Sequence, residues 1–231
     1  MPRSNSVVNN ANKPGTTAAD VGKVAIPLEP QNVDYLAFDG GLKVYPALKR
    51  VELAAQLIGG QSRPLEFFLV AAGGATHESL FATAAGAEHL KRALELIGLK
   101  EGHIKRQGRG YFDDPVGDRV KISVRFKHAG TGETMVVRAE EWLIDTITGK
   151  APENVGFVFS GGQEEFAPEQ NRQTVSADQL GNYIAVWHDS SCILDNDRKH
   201  GSISDCYTPN PDAPGMPAAG ADITLIFEAH P

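Results

Sequence analysis

Residues 64–98, PLEFFLVAAGGATHESLFATAAGAEHLKRALELIG, contain the elements that decide the fold. The run opens with a proline followed by a short apolar block at 65–70, which predicts a buried strand. Four apolar residues then recur at helical spacing, with charged residues on the opposite side, which predicts an amphipathic helix at about 86–97. Gly98 follows at the position where a left-handed helix cap is favourable. This stretch therefore predicts a strand, a helix and a connector between them.

The connector contains a polar cluster in which His77 and Glu78 are adjacent. In one class of metalloproteases, two histidines one helical turn apart bind zinc, but the residue at the required position here is Phe81. Three interpretations of His77 and Glu78 stay open: hydrogen bonds that hold the connector in place, a ligand or metal site, or catalysis. The first is favoured because a lone histidine cannot make the protease site.

Alternating apolar and polar residues predict further strands joined by short turns. The clearest is 119–127, RVKISVRFK, and a Gly-Thr-Gly turn then leads to 134–138, so the two are predicted to form a hairpin. The other strands are predicted at 42–44, 51–55, 155–160, 172–177, 182–188 and 223–227. Because hairpin-length links outnumber helical crossovers, the predicted fold class is α+β, with a mainly antiparallel β-sheet and one principal amphipathic helix.

The chain is predicted to form one domain preceded by a lead. A length of 231 residues suits one large domain or two small ones. Residues 1–32 are rich in Asn, Pro, Ala, Thr and Gly and show little periodicity, which predicts a flexible N-terminal lead. Residues 33–231 are predicted to form a single α+β domain.

Charge and hydropathy exclude some classes of function. The net charge is −7 and the pI is near 5.5, with no basic stripe, so we expect no nucleic-acid partner. No apolar run approaches the roughly 20 residues of a membrane span, and the N-terminus shows no apolar signal-peptide core. The chain is therefore expected to be either cytosolic or a form whose export signal is already removed. No motif predicts a cofactor.

Two cysteines lie in one polar segment, Cys192 and Cys206. Free cysteines are usually buried singly in apolar surroundings, so this pair predicts a disulfide and an oxidising, extracytoplasmic compartment. The alternative is a zinc site, because His188 and His200 alternate with the cysteines in the order H-x3-C-x7-H-x5-C. That order matches no zinc finger with paired ligands at tight spacing.

The chain resembles the YdjY-domain family of bacterial proteins from about residue 41 to residue 227. The resemblance rests on short runs of sequence: Val44 and Val51 around a turn, Leu65-Glu66, Thr76-His77-Glu78-Ser79-Leu80, the helix ending Leu96-Ile97-Gly98, Glu140-Glu141-Trp142-Leu143, Phe157 to Gly161, Gly181, and Ile223-Thr224-Leu225. Family members commonly carry export signals, which implies an extracytoplasmic location. The resemblance implies no iron–sulfur cluster here, because such a cluster needs about four cysteine ligands.

The family has no settled biochemical role, so the resemblance implies a domain rather than a mechanism. Glu66 and Trp142, which help to carry it, join His77 and Glu78 as candidate ligand-binding residues, although Trp142 is also a good candidate for the core. The leading functional prediction is a non-catalytic extracytoplasmic domain that binds a protein partner or associates with itself. The alternative is a metal- or small-ligand-binding protein that uses His77 and Glu78.

Overall fold

The computed structural model describes residues 30, 32–58, 63–104, 106–107, 111–112, 114–167, 172–213 and 215–231. The predicted flexible lead at 1–32 lies outside these residues except for Pro30 and Asn32. Within the described ranges the chain is mostly β-structure, with two α-helices and four short 3-10 turns.

The strands, numbered in chain order over the described ranges, are β1 (Leu36–Phe38), β2 (Leu42–Tyr45), β3 (Arg50–Leu57), β4 (Phe67–Ala71), β5 (Ser79–Thr83), β6 (Arg106–Gln107), β7 (Tyr111–Phe112), β8 (Arg119–Lys127), β9 (Thr134–Arg138), β10 (Leu143–Asp145), β11 (Phe157–Phe159), β12 (Glu164–Ala167), β13 (Arg172–Val175), β14 (Asn182–Ala185), β15 (Leu194–Asp195), β16 (Tyr207–Pro209) and β17 (Asp222–Ala229). The helices are α1 (Ala87–Leu96) and α2 (Ser176–Leu180). The 3-10 turns are Asp39–Gly41, Pro46–Leu48, Thr76–Glu78 and Ala139–Trp142.

Eight strands of the main sheet form a closed barrel, in the order β3-β17-β8-β11-β15-β14-β4-β5. The ring closes because β5 returns to β3, where Leu57 lies opposite Phe81. Outside the ring, β2 and then β1 extend from β3, and β9 pairs with β8. Two of the ring pairings are parallel, β4 with β5 and β14 with β15, so the sheet is mixed.

The predicted fold class, α+β with a mainly antiparallel sheet, is therefore wrong. One source of the error is residues 79–83, SLFAT, which the predicted connector includes but which form β5. Parallel strands usually need a crossover of a dozen or more residues. Here β4 and β5 are joined only by 72–78, so a short link conceals a parallel pairing. Without β5 the sheet has nothing with which to close onto β3.

The predicted hairpin at 119–127 and 134–138 is confirmed residue for residue by β8 and β9. Strict alternation explains this agreement, because successive side chains of a strand point to opposite faces. Its apolar positions are buried on one face of β8: Val120, Ile122, Val124 and Phe126.

Helix α1 confirms the helix predicted at about 86–97. Its apolar face is buried: Ala87, Leu90, Ala93 and Leu94. The helix is capped from outside its own sequence, since the backbone N–H of Ala87 donates to Asp178 Oδ1 at 2.6 Å. Gly98 has a φ of +94°, the left-handed conformation that favours glycine after a helix. Neither α1 nor any other helix in the described ranges is long and apolar enough to cross a membrane.

A separate two-stranded sheet, β10 with β16, organises the segment that follows the barrel's β8–β9 hairpin. Its antiparallel register sets Asp145, the last residue of β10, opposite Tyr207, the first residue of β16. Cys206 immediately precedes β16, so the pairing brings Asp145 and Cys206 close together although 61 positions separate them in the chain.

Candidate metal centre

His77 and Glu78 lie on the surface, in the 3-10 turn between β4 and β5. The side chain of His77 is 72% exposed, and its Nε2 lies 3.6 Å from Glu78 Oε2. The connector is braced by another residue, since the hydroxyl of Ser79 donates to the carbonyl oxygen of Ala75 at 2.6 Å. The side chain of His77 makes no hydrogen bond with any described residue, and its role stays a prediction.

Glu66 lies beside this turn, and its backbone N–H donates to the carbonyl oxygen of Glu78 at 3.0 Å. Burial raises the pKa of the Glu66 carboxyl, and the negative charges of Glu78, Asp189 and Asp205 raise it further. The structure thus brings three of the four predicted ligand-binding residues together as an acidic patch with one exposed histidine.

Trp142, the fourth predicted ligand-binding residue, is buried in the core with no exposed surface. Its ring packs edge-on against Phe81 and Phe126, with centroids 5.3 and 5.1 Å away. This packing agrees with the interpretation of Trp142 as a core residue and leaves its side chain no exposed surface for a ligand.

The four residues of the alternative zinc site are divided between two places. His188 is 3% exposed and lies 2.9 Å, through Nδ1, from Oδ1 of the fully buried Asp195. Cys192 is buried in an apolar cluster: Phe67, Val70 and Ala185. Burial raises the pKa of the Cys192 thiol well above its ordinary value.

The other half of that set, His200 and Cys206, is brought together with Asp145. His200 Nδ1 lies 2.7 Å from Asp145 Oδ2, and the Cys206 thiol donates toward Asp145 Oδ1 at 3.8 Å. One ligand atom from each of the three residues lies within 4.8 Å of the other two. The described residues contain no other such group of three histidine, cysteine or acidic side chains.

Local backbone structure fixes the orientation of the Asp145 carboxylate. Its Oδ1 accepts hydrogen bonds from the backbone N–H groups of Ile147 and Thr148, at 2.9 and 3.2 Å, which forms an Asx turn. Thr146 then ties the turn to the next strand, because both its N–H and its hydroxyl donate to the carbonyl oxygen of Cys206. The carboxylate and the thiol are thus held on one rigid unit.

The surroundings favour an ionised Asp145 carboxylate and a protonated Cys206 thiol, two of the three residues of this candidate metal centre (Asp145, His200 and Cys206). Burial acts to raise the pKa of Asp145, but hydrogen bonds from His200 and from the two turn N–H groups outweigh it and lower that pKa. Burial raises the pKa of the Cys206 thiol, and the Asp145 charge beside it raises that pKa further. The thiol therefore holds its proton at neutral pH until a cation competes for the sulfur.

Arg198 anchors the loop that carries His200. Its guanidinium donates to Glu140 Oε1 at 2.5 Å and to Asn196 Oδ1 at 2.9 Å, and its Nε donates to the carbonyl oxygen of Glu153 at 2.8 Å. The same group lies 4.9 Å from the centre of the Phe157 ring. A buried cation with so many partners holds the backbone next to His200 in one conformation.

A cavity of about 320 Å³ opens beside this loop. Its lining is Asp145, Thr148, Lys150, Ala151, Pro152, Glu153, Arg198, Lys199, His200 and Tyr207. Asp145 and His200 face the cavity, whereas Cys206 is not among its lining residues.

The predicted Cys192–Cys206 disulfide is not formed in the structure, where both residues are free thiols. They occupy different surroundings, the apolar cluster around Phe67 and the carboxylate of Asp145. A segment that looks polar in sequence is largely buried, so its cysteines need no bridge to be shielded from solvent. The extracytoplasmic location, which rested mainly on this pair, stays a prediction.

Asp145 is the functional residue that sequence analysis missed. One signal could have indicated its turn, because Asp145-Thr146-Ile147-Thr148-Gly149 has an acidic residue and a glycine at turn positions. Nothing local indicates that His200 and Cys206 lie beside it.

Comparisons with known proteins are consistent with the resemblance seen in the sequence. The family model described as YdjY domain matches residues 42–228. A comparison with curated proteins found no match, and neither did a comparison with solved structures.

Proposed function

We propose that this chain, which belongs to the YdjY domain family, is a binding domain that holds a zinc ion at Asp145, His200 and Cys206. The observation that supports this is the convergence of a carboxylate, an imidazole and a thiol within 4.8 Å of one another. The carboxylate is 55 positions from the imidazole in the chain, and the three groups differ in chemistry, unlike the acidic clusters that are common on protein surfaces.

The three ligand atoms lie within 4.8 Å of one another, so a bound zinc ion would require their separations to adjust. Zinc binds nitrogen and oxygen at about 2.0–2.2 Å and sulfur at about 2.3 Å, so tetrahedral ligand atoms lie roughly 3.3–3.8 Å apart. The 3.8 Å between Cys206 Sγ and Asp145 Oδ1 falls within that range. The 2.7 Å between His200 Nδ1 and Asp145 Oδ2 is a hydrogen-bond distance, which would lengthen by about 0.6 Å as the ion replaces the proton.

The mixture of donors favours zinc over calcium and magnesium. Calcium and magnesium bind to sets of oxygen ligands, which one carboxylate cannot supply. A thiolate with an imidazole and a carboxylate is a borderline-soft set, which zinc accepts and which copper and nickel also bind. Zinc is therefore the expected occupant, and cobalt is its spectroscopic substitute.

Two cysteine variants test this proposal. Cys206→Ala should abolish stoichiometric zinc binding measured by elemental analysis of protein dialysed after zinc loading. Cys192→Ala is the matched control, because it also removes a buried free thiol but leaves the centre intact. Thermal unfolding of the metal-free proteins shows whether each variant folds. Wild-type protein that retains no zinc, or Cys206→Ala protein that retains as much as wild type, would refute the proposed centre.

A second candidate function, self-association through a sheet edge, is favoured by β1. In the described ranges β1 pairs only with β2, so its outer edge is open. Tyr35 and Leu36 beside that edge are 50% and 48% exposed. Identical open edges on two copies of the chain can pair across a twofold axis. An extracytoplasmic setting for such an assembly is part of this candidate and stays a prediction.

Light scattering during size exclusion tests the second candidate. Leu36→Glu should convert a dimer to a monomer, because it places a charge at the paired edge. Val116→Glu is the matched control, since Val116 is 54% exposed but lies away from β1. A wild-type chain that runs as a monomer at all concentrations would exclude this candidate.

A further inference from the structure

The proposed zinc centre has one open side, and that side is the cavity. Three protein ligands leave a tetrahedral zinc ion with one position for an exogenous group. Cys206 is 3% exposed and belongs to the main core, so its side of the centre is filled by protein. Asp145 and His200 line the cavity. The fourth position therefore points into it.

The cavity presents two cations that pair with no side chain in the part of the chain that the structure describes. Lys150 and Lys199 both line it, and both are exposed. Neither makes a side-chain hydrogen bond or ion pair with any described residue. Arg198 differs, because its charge is paired with Glu140 at 2.5 Å. Within the described ranges, the two lysines are thus available to bind an anion that enters the cavity.

The backbones of both lysines are fixed relative to the centre. The carbonyl oxygen of Lys150 accepts a hydrogen bond from the N–H of Asp145 at 2.9 Å. Lys199 directly precedes His200 and directly follows the anchored Arg198. An anion bound to the metal would therefore lie in the same cavity as both lysine residues, without a rearrangement of the fold.

Glu153 is the competing anionic ligand, because this residue also lines the cavity. It is not part of the group whose ligand atoms lie within 4.8 Å of one another. Its backbone is held in place, since its carbonyl oxygen accepts the hydrogen bond from Arg198 Nε at 2.8 Å. The structure therefore leaves the fourth position to a ligand from solution.

We propose that the cavity binds a small oxyanion, a carboxylate or a phosphate group, which completes the metal's coordination and contacts Lys150 and Lys199. This rests on the proposed zinc function. The cavity volume of about 320 Å³ is at the lower end of the range for small-molecule sites, which suits a compact anion. A metal ion and two ammonium groups together supply the charge that holds such a ligand.

The test uses the full chain loaded with Co²⁺, whose visible bands report coordination and whose thiolate charge-transfer band reports Cys206. Acetate and inorganic phosphate are titrated separately, to distinguish a carboxylate from a phosphate ligand. We expect the visible bands to shift as at least one of the two anions is added, and we expect that shift to saturate. Lys199→Met and Lys150→Met should each weaken that binding about tenfold. Lys100→Met is the matched control, because Lys100 is exposed and lies outside the cavity.

Each outcome separates this inference from the proposal on which it rests. No thiolate band would mean that the metal centre itself is wrong. A thiolate band without any response to either anion would leave the centre standing and overturn the oxyanion site. An equal response in wild type and in the Lys150→Met, Lys199→Met double variant would also overturn it, since the lysines would then take no part. Anion binding that appears only in Glu153→Gln would identify Glu153 as the fourth ligand and overturn the inference.

Discussion

His77–Glu78 and His200–Asp145 are both histidine–carboxylate pairs, but they differ in exposure and in the distance between the two side chains. The first pair is adjacent in sequence, 72% exposed at the histidine and separated by 3.6 Å. The second is separated by 55 positions, 11% exposed at the histidine and in contact at 2.7 Å. The first stands on a turn beside other acids, while the second meets a thiol at the edge of a cavity.

The difference shows what makes a chemical centre out of common residues. Adjacent side chains on an exposed turn are free to point apart and are surrounded by water, so their interaction is weak. Groups brought from separate segments are held by the fold, and partial burial strengthens each electrostatic contact. The deciding property is thus the rigidity and burial of the backbone that presents the pair.

The His200–Asp145 pair differs from the His77–Glu78 pair in lying beside a free thiol. That difference is lost if Cys206 is oxidised, because a disulfide would take its sulfur away from Asp145. Alkylation of unreduced protein in denaturant should label both cysteines in every chain, since both are free thiols. Mass spectrometry distinguishes two labels from none. A product without labels, and with the peptides of Cys192 and Cys206 linked, would contradict the structure.

The zinc affinities of two variants should distinguish the role of His200 from that of His77. His200→Ala should weaken binding by more than about 100-fold, because loss of a direct ligand costs at least as much as loss of an outer partner. His77→Ala should leave the affinity unchanged, since its exposed ring is not part of the centre. Competition titration against a chromogenic chelator measures both constants. Equal losses in the two variants would remove the distinction drawn between the pairs.

The free energy of unfolding of the metal-free protein should depend more on Asp145 than on Glu78. Asp145→Ala should lower the free energy of unfolding by about 1–3 kcal/mol, because it leaves the turn N–H groups and His200 without their acceptor. Glu78→Ala should change it by less than about 0.5 kcal/mol, as for an ordinary surface substitution. Urea unfolding measures both. A larger loss in Glu78→Ala would mean that the exposed turn carries hidden stabilising contacts.

Glu228, on barrel strand β17, is a third carboxylate, and its exposure is intermediate between that of Asp145 and that of Glu78. Burial acts to raise its pKa, but hydrogen bonds from Lys121 and Arg50 outweigh burial and lower the pKa below its ordinary 4.5. A group whose pKa is lowered by folding stabilises the protein above about pH 4.5, and this contribution is lost as the pH falls through the folded-state pKa. Glu228→Gln should therefore cost about 1 kcal/mol at pH 7 and less at pH 3.

Urea unfolding at the two pH values checks this, with the exposed Glu133→Gln as the control. A cost for Glu228→Gln that stays constant or grows as the pH falls would show that the cation pairs do not stabilise the fold.

Sequence reasoning was most successful where local pattern decides structure. The alternation in 119–127 and the helical spacing around Leu94 identified β8 and α1, because each pattern needs only its own residues. β5 was missed because its five residues follow a glycine-rich link and gain their partners from β3 and β4. The pairing that closes a barrel is a long-range property, which a local pattern does not encode.

The candidate site follows the same division. Half of the predicted zinc set, His200 and Cys206, does meet, but the third member comes from Asp145, which had no chemical signal of its own. His188 and Cys192 carry equally suggestive side chains, and the fold uses them for a buried hydrogen bond to Asp195 and an apolar cluster. Residue type identified the candidates, and only the chain's three-dimensional path could select among them.

The place of β17 in the ring has a consequence for how the molecule is made. This strand follows every other strand of the barrel in the sequence, yet it lies between β3 and β8 and pairs with both along most of its length. When the ribosome has released residues up to 209, seven of the eight barrel strands have therefore been synthesised. The barrel is still open between β3 and β8, where β17 belongs. Until residues 222–229 emerge, the facing edges of β3 and β8 are unpaired, and chaperones or neighbouring nascent chains can bind there.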